Sequence, residues 1–67
     1  MIQLIINGQS HQFTASLSIA QLIEQLSLQG KRIAIERNGE IVPRSQFAEQ
    51  LLVHGDRLEV VIAVGGG

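Results

Sequence analysis

Two Asn-Gly dipeptides constrain the fold of this chain more than any other feature. Asn7-Gly8 follows the apolar run Ile2 to Ile6, and Asn38-Gly39 follows the run Arg32 to Glu36. Asn-Gly is the preferred pair for a two-residue turn in which both residues have a positive φ, and such turns join neighbouring antiparallel strands. The sequence therefore predicts two β-hairpins.

A helix is predicted between the hairpins. Its apolar positions have the i, i+3, i+4, i+7 spacing of a helix that buries one face: Ile19, Leu22, Ile23 and Leu26. Ser18 and Gln21 have the spacing of a capping box. Gly30 is expected to end the helix, with Lys31 and Arg32 near the negative end of the helix dipole.

The segment after the second hairpin is expected to be less regular. Pro43 cannot donate a ladder hydrogen bond, so the strand Glu40 to Val42 should be short or lie at an edge. Ser45 is expected to cap one helical turn. That turn would place Leu51 and Leu52 against the core.

The order of elements predicts an α+β fold. The second strand is expected from Gln9 to Thr14, and the longest strand candidate, Arg57 to Val64, follows a turn over His54 to Asp56. One helix packed on one face of a mixed sheet of about five strands buries these apolar faces, which is the β-grasp pattern. We expect a β-grasp domain over residues 1–64 and a flexible tail over residues 65–67.

The composition excludes several classes of function. With 45% hydrophobic residues and a net charge of −1, the chain is expected to fold. Its 3% aromatic content and near-neutral charge argue against nucleic-acid binding. The longest apolar run, Val60 to Val64, is too short to span a membrane. We expect a cytoplasmic monomer that binds no metal or cofactor, and the lack of cysteine removes thiol nucleophiles.

Strand alternation predicts two different faces for the sheet. The first and last strands are the most hydrophobic and are expected to lie parallel and adjacent at its centre. Alternation points one set of side chains at the helix: Ile2, Leu4, Ile6, Leu58, Val60, Ile62 and Val64. Ile5, Val61 and Ala63, with Ala34, would then form an exposed apolar patch that could bind a partner. Isolated apolar residues on an open sheet face can equally have no function.

The end of the sequence, Gly65-Gly66-Gly67, favours a chemical role. Three glycines can extend by roughly 10 Å and form the thinnest possible peptide, so they could carry a terminal carboxylate into a narrow tunnel of another protein. A frayed end is the alternative interpretation.

The chain resembles the thiamine-biosynthesis sulfur carriers of the ubiquitin-like β-grasp superfamily. The resemblance rests on three segments: Asn38 to Arg44, Gly55-Asp56 and Ala63 to Gly67. It implies that the carboxyl group of Gly67 is adenylated and then carries sulfur as a thiocarboxylate. Gly66 completes the family's diglycine, and Gly65 is an additional glycine.

The resemblance also implies a set of partners, because the carrier is a cosubstrate and not an enzyme. These partners are a ThiF-like adenylating enzyme that uses ATP and magnesium, a ThiG-like thiazole synthase, and a sulfur donor system with a cysteine desulfurase. No phosphate-binding glycine loop precedes a helix in this chain, so activation is expected from another protein.

Three alternatives remain open from the sequence. The chain could be the small-subunit carrier of molybdopterin synthesis or of another sulfur relay, since the diglycine end is shared with that subunit. It could be a ubiquitin-like modifier that is conjugated to lysines through Gly67. It could also be a β-grasp interaction module with an inert tail.

The titratable side chains do not predict a catalytic centre. His11 and His54 are interpreted as surface or strand histidines, because neither has a Ser or Cys nucleophile around it. The acidic residues are interpreted as solvated charges: Glu36, Glu40, Glu49, Asp56 and Glu59. Three arginines could form salt bridges to a partner: Arg37, Arg44 and Arg57.

Overall fold

Both predicted hairpins are present in the computed structural model, which describes residues 1–63. The hairpin strands are β1 (Ile2–Ile6) with β2 (Gln9–Phe13), and β3 (Ile33–Arg37) with β4 (Glu40–Val42). Asn7 and Gly8 have φ values of 50° and 81°, and Asn38 and Gly39 have φ values of 51° and 88°. Positive φ at both turn residues is the reason for the Asn-Gly pair.

The last strand, β5 (Arg57–Ile62), lies at the centre of a five-stranded sheet with the order β2-β1-β5-β3-β4. It pairs parallel with β1 and antiparallel with β3. The parallel pairing of the first and last strands and the edge position of β4 were both predicted. This topology is the predicted β-grasp fold. The predicted domain boundary after Val64 and the glycine tail lie outside the described residues.

The single helix, α1 (Ile19–Gln25), begins as the sequence predicts. The Ser18 hydroxyl accepts a hydrogen bond from the Gln21 N–H at 3.1 Å, and the Gln21 side chain accepts one from the Ser18 N–H at 2.8 Å. These two bonds form the capping box, which satisfies backbone donors that have no partner within the helix. No helix among residues 1–63 is long and apolar enough to cross a membrane.

The predicted end of the helix is wrong. Gly30 does not end α1, because Ser27 adopts the left-handed conformation three residues earlier, with a φ of 58°. The N–H groups of Ser27 and Leu28 donate to the carbonyls of Glu24 and Ile23, each at 3.0 Å. This is a Schellman motif. Lys31 and Arg32 therefore lie outside the last helical turn, which contains no basic residue.

The core lies between α1 and one face of the sheet. It consists of ten buried side chains: Leu4, Ile6, Leu17, Ile19, Leu22, Ile35, Val42, Phe47, Leu52 and Leu58. Two residues predicted to be internal are exposed, Leu51 by 59% and Ile62 by 44%. Leu51 faces outward because it forms a β-bridge with Ser18, and in this extended backbone it points away from the side to which its buried neighbour Leu52 points. Ile62 lies opposite Ile33, near the end of the β3–β5 pairing.

A 3₁₀ turn (Arg44–Gln46) connects β4 to the segment that covers the core. The prediction that Ser45 caps this turn is wrong, because the turn begins after Pro43, and no side chain caps it. Phe47 follows the turn, and its carbonyl accepts a hydrogen bond from the Ala20 N–H at 2.8 Å. The turn is therefore tied directly to the first turn of α1.

Candidate partner-binding face

One face of the sheet has no helix packed on it among residues 1–63, and β5 crosses its centre. Val61 is 56% exposed on this outer face and lies directly opposite Ala34, which is also exposed. Ala63 is exposed as well, and its N–H donates to the Arg32 carbonyl at 2.9 Å. We call Ala34, Val61 and Ala63 the apolar patch. The backbone is thus held in the sheet up to the last described residue.

Ile5 does not belong to the apolar patch, contrary to the prediction from strand alternation. The parallel register places Ile5 opposite Arg57, which precedes Val61 by four residues. At about 3.3 Å per residue, this offset is roughly 13 Å along the strand. Ile5 is also only partly exposed. Alternation predicted the correct face for Ile5, but the sequence contains no signal for the register between β1 and β5.

Ile5 instead lines a depression at the other end of the outer face. The depression has a volume of about 660 Å³ and lies between the two Asn-Gly turns. Among its lining residues are Ile5, Gly8, Glu36, Arg57 and Glu59. We call it the outer-face depression. The outer face therefore has a charged region at the start of β5 and an apolar region at its end.

The side chain of Asn7, in the first Asn-Gly turn, binds the backbone of β5 next to Val61 of the apolar patch. The Asn7 side chain accepts a hydrogen bond from the Val60 N–H at 2.8 Å and donates one to the Val60 carbonyl at 3.2 Å. The Asn7 amide thus replaces a backbone partner where β1 has already turned away. Asn is favoured here for its turn conformation, so the sequence contains no separate signal for this second role.

The second Asn-Gly turn is attached to a buried carboxylate, Asp56. Its oxygens accept hydrogen bonds from the Val53 N–H at 2.9 Å, the Asn38 amide at 3.0 Å and the Arg37 Nε at 3.0 Å. Arg37 Nη2 adds an ion pair at 2.7 Å. The predictions that Asp56 is solvated and that Arg37 is available to a partner are therefore wrong.

The surroundings of Asp56 also set its charge. Burial raises the pKa of the Asp56 carboxyl, but the hydrogen bonds from Val53, Asn38 and Arg37 and the Arg37 charge outweigh burial. The net result is that the pKa of Asp56 is lowered from its ordinary value. Asp56 stays ionised and fixes the start of β5 against the end of β3.

The histidines have separate positions. His54 Nδ1 accepts a hydrogen bond from the Gln3 N–H at 3.0 Å. The imidazole ring thus satisfies a β1 backbone donor that lies outside the β1–β5 pairing. His11 lies on β2 opposite Leu4. Within residues 1–63, no cluster of three or more His, Asp or Glu side chains could hold a metal ion. The Gln3 contact gives His54 a structural role that its sequence position did not predict.

The ThiS family model matches residues 4–67 of this sequence. The chain belongs to the ThiS family. The Escherichia coli sulfur carrier protein ThiS is 32% identical over 66 residues, which are 98% of this chain and 100% of that protein. The crystal structure of the thiamine biosynthesis protein (ThiS) from Geobacter metallireducens superposes with a TM-score of 0.84 at 29% identity. That match covers 98% of this chain and all of the other chain.

The ThiS-family chain also matches part of a longer protein. A protein named thiazole synthase from Paramagnetospirillum magneticum is 41% identical over 66 residues, and the chain spans 20% of its length. Together the matches confirm the predicted family and β-grasp fold. They also support the predicted role of a sulfur carrier in thiamine biosynthesis, which is that of a carrier and not of a catalyst.

Proposed function

We propose that this protein carries sulfur for thiazole formation in thiamine biosynthesis, as a thiocarboxylate at the carboxyl group of Gly67. The observation that carries the proposal is the family match, which continues through the glycines to residue 67. The full-length alignment with the Escherichia coli sulfur carrier supports the same assignment. Gly67 itself lies outside the described residues.

The chemistry of a terminal carboxyl explains why activation must come first. A terminal carboxyl has an ordinary pKa of ~3.3–3.7, so it is ionised at neutral pH and can attack the α-phosphate of ATP. Pyrophosphate leaves, and an acyl-adenylate forms. The outer sulfur of a donor persulfide then attacks the carbonyl carbon and displaces AMP, whereas an oxide ion would not leave from the free carboxylate. A second thiol of the donor system then cleaves the S–S bond of the acyl disulfide and is itself oxidised to a disulfide. The product is the thiocarboxylate.

The described part of the chain is hydrogen-bonded to the sheet up to Ala63. The Ala63 N–H donates to the Arg32 carbonyl, and Gly67 is the fourth residue after Ala63. At ~3.3–3.6 Å per residue, four residues span at most ~14 Å. A partner that binds the carboxyl group of Gly67 in an active site must therefore lie close to the apolar patch. We include Val61 and Ala63 in the partner-binding surface for this reason.

The proposed partners follow from the reaction and from the relatives. A thiazole synthase would receive the sulfur, and two proteins with that name contain a segment similar to this chain. An adenylating enzyme would supply MgATP, and a cysteine desulfurase system would supply the sulfur. Magnesium and ATP would bind to the adenylating enzyme and not to this chain.

An adenylation assay tests the proposal. The protein is incubated with the adenylating enzyme of its own organism and MgATP, and pyrophosphate release is measured. We expect release with the intact chain and none after deletion of Gly67 or addition of one residue beyond it. Thermal melts should be unchanged in both variants. Normal pyrophosphate release from the Gly67 deletion would contradict the proposal, and protein conjugates in place of the adenylate would indicate a modifier.

A further inference from the structure

We propose that Asn7 is a positioning residue for the reaction at Gly67. Its side chain holds the end of β5, residues 59–62, on the side where β1 has already turned away. It thereby fixes the point from which the chain continues to Gly67. The inference rests on the proposed function, since it concerns how the carboxyl group of Gly67 is presented to the protein that binds it.

The end of β5 is paired with another strand on one side only. The pairing of β1 with β5 ends at Leu58, because the chain turns at Asn7 and Gly8. The antiparallel pairing of β3 with β5 continues as far as Ile62. Within residues 1–63, the end of β5 thus lacks a paired strand on the side that faces β1.

The Asn7 side chain supplies hydrogen bonds on that side. Its oxygen accepts a hydrogen bond from the Val60 N–H at 2.8 Å, and its nitrogen donates one to the Val60 carbonyl at 3.2 Å. A carboxamide has the same donor and acceptor as a peptide group, so it can act as one residue of a neighbouring strand. Both backbone groups of Val60 are therefore held immediately before Val61 of the apolar patch.

A fixed end of β5 lowers the free-energy cost of binding the partner. A partner has to order any segment that moves freely in the free carrier, and fixing the backbone of one residue costs ~1–2 kcal/mol. Gly67 is the seventh residue after Val60, so freedom of the backbone at Val60 also displaces the carboxyl group. The two hydrogen bonds act within the carrier. Their effect therefore does not depend on which protein receives the carboxyl group.

The second Asn-Gly turn provides a matched control. Asn38 also has a positive φ, and its side chain also forms two hydrogen bonds, with the Arg57 N–H at 2.9 Å and the Asp56 carboxylate at 3.0 Å. These bonds lie at the start of β5, where β1 is paired with the strand. Glycine adopts a positive φ without strain. Asn7→Gly and Asn38→Gly therefore each remove two side-chain hydrogen bonds and keep the turn conformation accessible.

The test combines amide hydrogen exchange of the free carrier with pyrophosphate release by the adenylating enzyme and MgATP. We expect the Val60 N–H to exchange about tenfold faster in Asn7→Gly than in the wild type or in Asn38→Gly. Asn7→Gly should raise KM for the carrier about tenfold, which corresponds to ~1.4 kcal/mol. Its kcat should be unchanged, because the bound partner then holds the segment. Asn38→Gly should keep the wild-type KM, even if its melting temperature falls as far as that of Asn7→Gly.

Several results would overturn the inference. An unchanged exchange rate of the Val60 N–H in Asn7→Gly would show that the side chain does not hold the strand. A wild-type KM for Asn7→Gly, or an equal increase for Asn38→Gly, would show that the hydrogen bonds serve stability alone. A loss confined to kcat would place the effect in the bound complex. Each of these results leaves the proposed function intact if the wild type releases pyrophosphate, whereas a wild type that releases none contradicts the proposed function and the inference together.

Discussion

The two faces of β5 differ in exposure from Arg57 to Val61, although they are built from alternating residues of one short strand. On the inner face, Leu58 is 2% exposed and Val60 packs against the core. On the outer face, Glu59 and Val61 are exposed. Burial restricts which residues the inner face can contain, whereas residues of the outer face can be replaced with little loss of stability. The outer face is therefore the part of the sheet that is free to serve a partner.

The largest effect on stability is expected at the inner face. Leu58→Ala removes a buried side chain and leaves a cavity between the sheet and α1, which should cost ~2–5 kcal/mol of unfolding free energy. A domain of this size has little stability to spare, so the variant should be largely unfolded at 37 °C. Guanidinium denaturation measures the loss, with Val61→Ala on the outer face as the control. Equal losses for both variants would contradict the difference between the faces.

A smaller loss of stability is expected from a change at Asp56, the residue just before β5. Asp56→Asn keeps the shape of the side chain but removes the charge that Arg37 and the Val53 N–H bind, which should cost ~1–3 kcal/mol. Chemical denaturation at pH 7 measures this cost. A loss below about 0.5 kcal/mol would show that the carboxylate is better solvated than its hydrogen bonds indicate.

The pH dependence of stability provides a second test of Asp56. Because the pKa of Asp56 is lowered in the folded protein, its contribution to stability is fully present above the ordinary aspartate pKa of ~3.9. That contribution is lost as the pH falls through the lower, folded-state value. Wild-type stability should therefore drop more steeply than that of Asp56→Asn below about pH 4. Parallel pH profiles would contradict the lowered pKa.

A still smaller effect on stability is expected on the outer face. Val61→Asp places a charge where water already reaches, so the unfolding free energy should change by no more than about 0.5 kcal/mol. Binding to the adenylating enzyme should fall, since the charge would lose its water in the complex without gaining a partner. Thermal melts and a binding titration separate the two quantities. A variant that melts far below the wild type would place Val61 in the core.

The tail should have no effect on stability at all. Gly66→Ala adds a methyl group and restricts φ where the chain is proposed to pass through a tunnel. A misplacement of ~1 Å can reduce a rate ~10²-fold, so pyrophosphate release should fall sharply with the melting temperature unchanged. Gly65→Ala, nearer the domain, is the matched control and should have a milder effect. Equal, near-wild-type rates of pyrophosphate release for both variants would contradict a specific role of the glycines in the reaction.

Much of the fold could be predicted because its signals are local. Asn7-Gly8 and Asn38-Gly39 specify their turns through φ, and Ser18 with Gln21 specifies the start of α1. The helix end was missed because Ser27 adopts a conformation that glycine adopts more readily, while Gly30 gave the stronger signal. The sequence signal for a helix end fails where a residue other than glycine, here Ser27, adopts the left-handed conformation.

The arrangement of the candidate site depended on information that the sequence does not contain. Alternation placed Ile5 and Val61 on one face, but the β1–β5 register separates them and brings Ile5 to Arg57. The same limitation concealed the contact between Asn7 and Val60, which are distant in sequence and adjacent in the fold. Pairing between distant strands is a property of the whole fold, so it could be obtained only from the structure.

The central claim is that Gly67 carries the sulfur, and an intact-mass measurement tests it most directly. The protein is produced in cells together with its adenylating enzyme and sulfur donor system, and is then fragmented in the mass spectrometer. We predict a mass increase equal to the replacement of one oxygen by one sulfur, located at Gly67 and absent from the Gly67 deletion. A sulfur atom located elsewhere, a ladder of conjugates, or an unmodified chain despite an active adenylating enzyme would contradict the account.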